Sequence, residues 1–142
     1  MAIKLGINGF GRIGRLCFRA LLERDADHVD IVGVNDLTDA ETLATLFQYD
    51  TVHGQYPGTV ELDGDALVID GDRFPVFSEQ DPTQLPWGEH DTDVVIESTG
   101  VFRTRKKAAQ HLEAGADKVV ISAPAKSEVD ATVVLGVNDD IL

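Results

Sequence analysis

Six residues near the start of the chain, Gly9-Phe10-Gly11-Arg12-Ile13-Gly14, have the types and spacing to hold an anion on main-chain N–H groups. In a Gly-x-Gly-x-x-Gly run the first glycine makes a tight turn. The second lets the backbone approach a pyrophosphate, and the third lets a helix pack closely on a strand. The free N–H groups near Arg12 and Ile13 would open that helix, where unsatisfied donors and the helix dipole both favour negative charge. Glycine-rich turns are common, so the motif counts only in context: a strand before it, a helix after it, and an acidic residue about 20 positions further on. Asp36, 22 residues beyond Gly14, meets the last condition. A carboxylate there accepts hydrogen bonds from both hydroxyls of an adenosine ribose and repels a 2′-phosphate, so the expected ligand is NAD rather than NADP. The same carboxylate argues against Arg12 as a 2′-phosphate ligand.

The elements that must position these residues follow from hydrophobic periodicity. Ile3–Asn8 reads as a buried strand, and Arg12–Arg24 as an amphipathic helix with Ile13, Leu16, Cys17, Ala20 and Leu21 on its apolar stripe. Val29–Asn35 completes a βαβ unit. Thr38-Asp39-Ala40-Glu41 has the form of a capping box and predicts a helix running to about Tyr49. Asp63-Gly64-Asp65 and Asp70-Gly71 separate apolar runs at Thr59–Leu62, Ala66–Ile69 and Arg73–Ser78, a hairpin signature that predicts an antiparallel insertion around 55–80. The α/β rhythm then resumes with a strand at Asp93–Glu97, a helix at Thr104–Ala114 stopped by Gly115, and strands at Lys118–Ser122 and Ala131–Val137. The expected fold is α/β: a Rossmann-type, doubly wound, mostly parallel sheet occupying residues 1–142 as one domain.

In such a sheet ligands lie at the carboxyl ends of the strands. Ser98-Thr99-Gly100 and Ser122-Ala123-Pro124 therefore join the candidate site, with small residues for close approach and hydroxyls for hydrogen bonds. Phe102 is a candidate for the adenine side of the groove. The histidines His28, His53, His90 and His111 show no metal-ligand spacing and read as surface or capping residues; no metal site is expected. Trp87, the phenylalanines and Cys17 read as core.

Composition narrows the classes. The chain has 142 residues, with 25 acidic against 12 basic residues and a net charge of −13, which argues against a nucleic-acid or anionic-membrane partner. The acidic residues are scattered through turns, as expected of a solvated surface, and a sharper reading is adaptation to a high-salt cytoplasm. One cysteine excludes an internal disulfide. The chain moves straight from Met1 into a strand-like run and has no apolar stretch near the ~20 residues of a membrane span, so a cytoplasmic location is expected.

Beyond these readings, the run Ile7-Asn8-Gly9-Phe10-Gly11-Arg12-Ile13-Gly14-Arg15 resembles the opening signature of the phosphorylating glyceraldehyde-3-phosphate dehydrogenases. The resemblance continues through Val34-Asn35-Asp36, Tyr49-Asp50-Thr51-Val52-His53-Gly54, Glu97-Ser98-Thr99-Gly100-Val101-Phe102, Ile121-Ser122-Ala123-Pro124-Ala125-Lys126 and Gly136-Val137-Asn138. It implies NAD contacts at Arg12, Ile13, Asp36 and Ser122, with Thr99 and Gly100 near the nicotinamide half; Asn8, Gly9, Phe10, Gly11 and Gly14 of the glycine run complete the candidate cofactor-binding set. The family often has an arginine beside the adenine where this chain has Gln80, which retains only its carbonyl for that contact. The resemblance further implies that the nucleophilic cysteine, in a Ser-Cys-Thr-Thr-Asn motif, the histidine base and the catalytic domain lie outside these residues. On that basis this chain alone is expected to be inactive and to depend on a catalytic domain as partner, within a homotetramer as is typical of the family. Two other readings remain open from the sequence: part of an erythrose-4-phosphate dehydrogenase, and a free-standing NAD-binding module without catalysis.

Overall fold

The computed structural model describes all 142 residues, Met1–Leu142. A five-stranded parallel sheet forms its centre, built from β1 (Ile3–Asn8), β2 (Val29–Asn35), β8 (Val76–Phe77), β9 (Val94–Glu97) and β10 (Lys118–Ile121) in the order β10-β9-β1-β2-β8. The chain leaves β1 toward β2 and β8, then returns to β1's other side for β9 and β10. Helix α1 (Arg12–Glu23) joins β1 to β2, and α2 (Ala40–Gln48) follows β2. The antiparallel insertion is present as β3 (Tyr49–Asp50) with β4 (Gly54–Gln55), and as β5 (Val60–Asp63), β6 (Ala66–Ile69) and β7 (Asp72–Phe74). No helix is long and apolar enough to cross a membrane.

Side chains alternate across the sheet and define two cores. Ile7, Ile31 and Val34 face one side, where they pack with Phe10, Phe18, Leu43, Phe47, Tyr56, Leu67, Ile69 and Phe74 from α1, α2 and the insertion. Val95 faces the other side, with Leu85, Trp87 and Ala116. Gly6 clears space there: a Cβ on it would lie 2.7 Å from the Trp87 ring. In the first core Arg19 is buried on α1 and donates to the main-chain carbonyls of Phe47, Gln48 and Gly54. Its guanidinium also lies 5.6 Å from the Phe47 ring centroid and 5.7 Å from that of Tyr56. One side chain thus joins α1, the end of α2 and β4.

Several sequence expectations need correction. The Arg73–Ser78 run is not one strand: it breaks at Pro75, so β7 ends the insertion and β8 belongs to the parallel sheet beside β2. The cap of α2 is Asp39, whose carboxylate accepts from the Thr42 N–H at 2.9 Å, and not Thr38. The buried stripe of α1 runs through Gly14, Phe18 and Arg19 with Leu21 and Leu22 alongside, whereas Ile13 and Ala20 are exposed and Cys17 only half-buried. The helix expected at Thr104–Ala114 is split into α3 (Arg105–Ala108) and α4 (Gln110–Glu113), with Thr104 capping the first and Gly115 in the left-handed region at φ +110° beyond the second. Ala131–Val137 is not a strand: no other strand pairs with it, and Val134, Leu135 and Val137 are exposed.

Candidate functional site

The strand order reverses beside β1, and a groove of about 570 Å³ opens there at the carboxyl ends of the strands. Eight of the residues singled out from the sequence line it: Asn8, Gly9, Gly11, Asp36, Gln80, Ser98, Thr99 and Phe102. Asn35, Leu37, Glu79 and Val101 complete the wall. Phe10, Arg12, Ile13 and Gly14 belong to the loop and first helical turn at its edge. Gly100 and Ser122 lie outside the lining; both are exposed, and Ser122 is held at the end of β10 by its N–H to the Glu97 carbonyl at 3.0 Å.

The glycine loop is shaped by what surrounds it. Gly9 has φ +91°, and a Cβ there would come within 2.7 Å of the Thr99 nitrogen. At Gly14 a Cβ would collide with the Gly9 carbonyl and stand 3.2 Å from both the Ile7 side chain and the Ser98 hydroxyl. Gly11 differs: nothing lies within 4 Å of its added Cβ, so that side of the loop is open. Helix α1 begins without a side-chain cap, and its first internal bond runs from the Arg15 N–H to the Gly11 carbonyl at 2.9 Å. The N–H groups of Gly11, Arg12, Ile13 and Gly14 have no acceptor within the protein. Four free donors at the positive end of a helix, three of them on the exposed residues Gly11, Arg12 and Ile13, suit an anion.

Phe10 anchors this loop from below. Its ring is fully buried, stacked on Phe47 at 6.0 Å and edge-on to Phe18 at 5.8 Å. Its N–H donates to Asp36 Oδ2 at 2.8 Å, while Asp36 Oδ1 accepts from the Thr38 N–H at 2.9 Å. Both carboxylate oxygens are thereby fixed in direction, and each keeps acceptor capacity toward the groove. Gln80 stands exposed at the rim, just beyond β8.

Beneath the groove lies a polar network that the sequence reading did not find. Glu97 is 2% exposed, yet its carboxylate accepts four hydrogen bonds. Oε1 accepts from His111 Nε2 at 2.8 Å and Asn8 Nδ2 at 2.5 Å; Oε2 accepts from the Thr99 N–H at 3.0 Å and the Thr99 hydroxyl at 2.7 Å. Burial pushes this carboxyl's pKa up, but the bonds from His111, Thr99 and Asn8 together outweigh it and hold it below its ordinary value. His111 is wholly buried and not a surface residue. Its Nδ1 accepts from the Trp87 indole N–H at 3.0 Å, which leaves the ring hydrogen on Nε2, facing Glu97. On the other side Asn8 Oδ1 accepts from Asn35 at 2.8 Å, and Asn35 exchanges two bonds with the Glu79 main chain. Alternation could have flagged Glu97: in Val94-Val95-Ile96-Glu97 it shares the inward face with Val95, and a carboxylate there needs buried donors.

Comparison with known proteins agrees with this architecture. The family model described as "Glyceraldehyde 3-phosphate dehydrogenase, NAD binding domain" matches residues 3–105. The chain is 55% identical over 139 residues to the glyceraldehyde-3-phosphate dehydrogenase of Thermotoga maritima, covering 98% of this chain and 41% of that protein. It is 56% identical over 140 residues to glyceraldehyde-3-phosphate dehydrogenase 1 of Bacillus subtilis, covering 99% of this chain and 41% of the relative. The Geobacillus stearothermophilus protein matches at the same identity and coverage, 56%, 99% and 41%. The chain thus spans about two fifths of the length of these relatives.

Proposed function

Because this chain belongs to the glyceraldehyde-3-phosphate dehydrogenase family, whose NAD-binding domain it carries and whose cofactor is NAD, we propose that the groove is the NAD site. The observation that carries this reading is the open first turn of α1, with four unclaimed N–H groups beside Gly11. These donors hold the diphosphate, and the Arg12 guanidinium, exposed and free of any acidic partner, adds positive charge at the same end. Asp36 takes the hydroxyls of the adenosine ribose and turns away a 2′-phosphate. Gln80 borders the adenine side, while Asn8, Thr99, Gly100 and Ser122 serve the nicotinamide side. NAD bound there supplies the hydride acceptor for the whole protein, which we read as oxidising glyceraldehyde 3-phosphate with acyl transfer to phosphate.

These 142 residues alone bind the cofactor without turning it over, since the one cysteine, Cys17, lies on α1 and is not among the groove's lining residues. The working assembly adds the catalytic domain and is a homotetramer in the cytoplasm. The net charge of −13 reads as adaptation to a high-salt interior. That part of the reading predicts a melting temperature that climbs from dilute to molar KCl, and a flat profile would remove it.

Calorimetric titration tests the site. NAD binds and NADP binds more weakly; Asp36→Ala weakens NAD by about tenfold, the worth of one charge-assisted hydrogen bond, and narrows the preference. Equal affinities for NAD and NADP, or an unchanged NAD affinity in Asp36→Ala, would refute the assignment.

A further inference from the structure

The two sides of the groove are fixed by different means. On the ribose side Asp36 is held by main-chain N–H groups of Phe10 and Thr38. On the far side Ser98 is tied to the main chain of Asn8 and Gly9, and the turn beyond it is fixed through Thr99, whose two donated hydrogen bonds both end on one oxygen of Glu97. Glu97 is held in turn by His111, and His111 by the Trp87 indole. We infer that Glu97, with His111 behind it, is a positioning residue for the far half of the groove. That half takes the nicotinamide mononucleotide portion of NAD, so the inference rests on the NAD reading above.

The donor count explains why a carboxylate stands there. All four partners of Glu97 donate, so each oxygen must only accept. A neutral amide would set its NH₂ against fixed donors whichever way it turned: the Thr99 N–H, which cannot reverse as the hydroxyl beside it can, or His111 and Asn8. The His111 ring cannot swap its hydrogen to Nδ1 in compensation, because the Trp87 N–H already points at that nitrogen. The frustration falls on Thr99, the exposed member of the set, which is free to move away. The Glu97 charge is thus transmitted to the groove as a loop position.

The test compares NAD with ADP, which carries the adenosine and diphosphate but not the second ribose or nicotinamide. In Glu97→Gln the dissociation constant for NAD rises about tenfold while that for ADP stays within about twofold, in protein shown by circular dichroism to be folded. His111→Phe reproduces the split, and His111→Gln, which retains an N–H donor within reach of Glu97, returns it toward the unmodified value. Equal losses for both ligands, or no loss for either, overturn the inference and leave the NAD reading intact. Failure of the unmodified protein to bind NAD overturns both. A measurement on the unmodified protein needs no variant: the Thr99 N–H exchanges slowly with solvent although the residue is exposed, and exchange as fast as that of Gly100 overturns the inference.

Discussion

Arg19→Leu removes the only side chain that joins α1, α2 and β4, and its cost can be worked out from the bonds it breaks. The guanidinium donates to the Phe47 carbonyl at 2.5 and 3.1 Å, to Gln48 at 3.2 Å and to Gly54 at 3.1 Å. A buried carbonyl stripped of its donor costs about 1–3 kcal/mol. The Phe47 bonds are fully buried and take about 2 kcal/mol; the Gly54 carbonyl is closer to solvent and takes about 1 kcal/mol. The Gln48 carbonyl keeps the Tyr56 N–H at 2.7 Å and loses little. Loss of the contacts to the Phe47 and Tyr56 rings adds about 1 kcal/mol. Against this about 4 kcal/mol stands the relief of no longer burying a charge with no carboxylate partner, which returns about 2 kcal/mol. The net loss of about 2 kcal/mol lowers the melting temperature by about 7 °C in a chain of this size. Thermal denaturation followed by circular dichroism gives the number directly. Arg19→Lys falls between, since one ammonium reaches part of the carbonyl set. NAD affinity of the folded fraction stays unchanged, because Arg19 sits two turns below the open end of α1. A Leu variant melting within about 2 °C of the parent would show that these carbonyls are satisfied without Arg19.

Other perturbations separate local roles. Gly9→Ala forces a side chain into φ +91° and within 2.7 Å of the Thr99 nitrogen, so NAD binding by calorimetry falls by at least about a hundredfold; an affinity within about threefold of the parent would contradict the geometry. Because the folded protein holds the Glu97 carboxyl below its ordinary range, this group adds stability at pH values above about 4.3, and that stability is lost as pH falls through the lower folded value. Glu97→Gln therefore flattens the acid limb of a stability–pH profile, and an unaltered acid limb would count against the assignment. Asp39→Ala lowers the melting temperature by removing the cap on the Thr42 N–H, whereas Thr38→Ala leaves it unchanged; the reverse order would restore Thr38 as the cap.

The elements that carry the groove were legible because their signals are local and agree with one another. Ile3–Asn8 and Val29–Asn35 are apolar runs bounded by turn residues, and both strands begin and end where the pattern places them. The glycine spacing predicted both the turn at Gly9 and the close contact at Gly14. What escaped depends on partners distant in sequence. Ala131–Val137 has the composition of a strand, but a strand exists only where another offers free hydrogen-bonding groups, and here none does. The α1 stripe shifted because helix position is set by close packing at Gly14 and by Arg19 reaching carbonyls 28 residues or more away, neither of which hydrophobicity records. His111 read as a surface residue because its partners, Trp87 and Glu97, lie 24 and 14 residues away.

The break at Pro75 divides the molecule's tolerance of change. The three-stranded lobe gives Leu67, Ile69 and Phe74 to the core, so it cannot be removed without opening that core. Its outer tip is another matter: Gly64 and Asp65 are exposed where they turn β5 into β6, and a side chain added at Gly64 would meet nothing within 4 Å. A fluorophore or short affinity tag inserted between these two residues would ride on the lobe with the groove undisturbed, making the turn a natural attachment point for reporting on the domain.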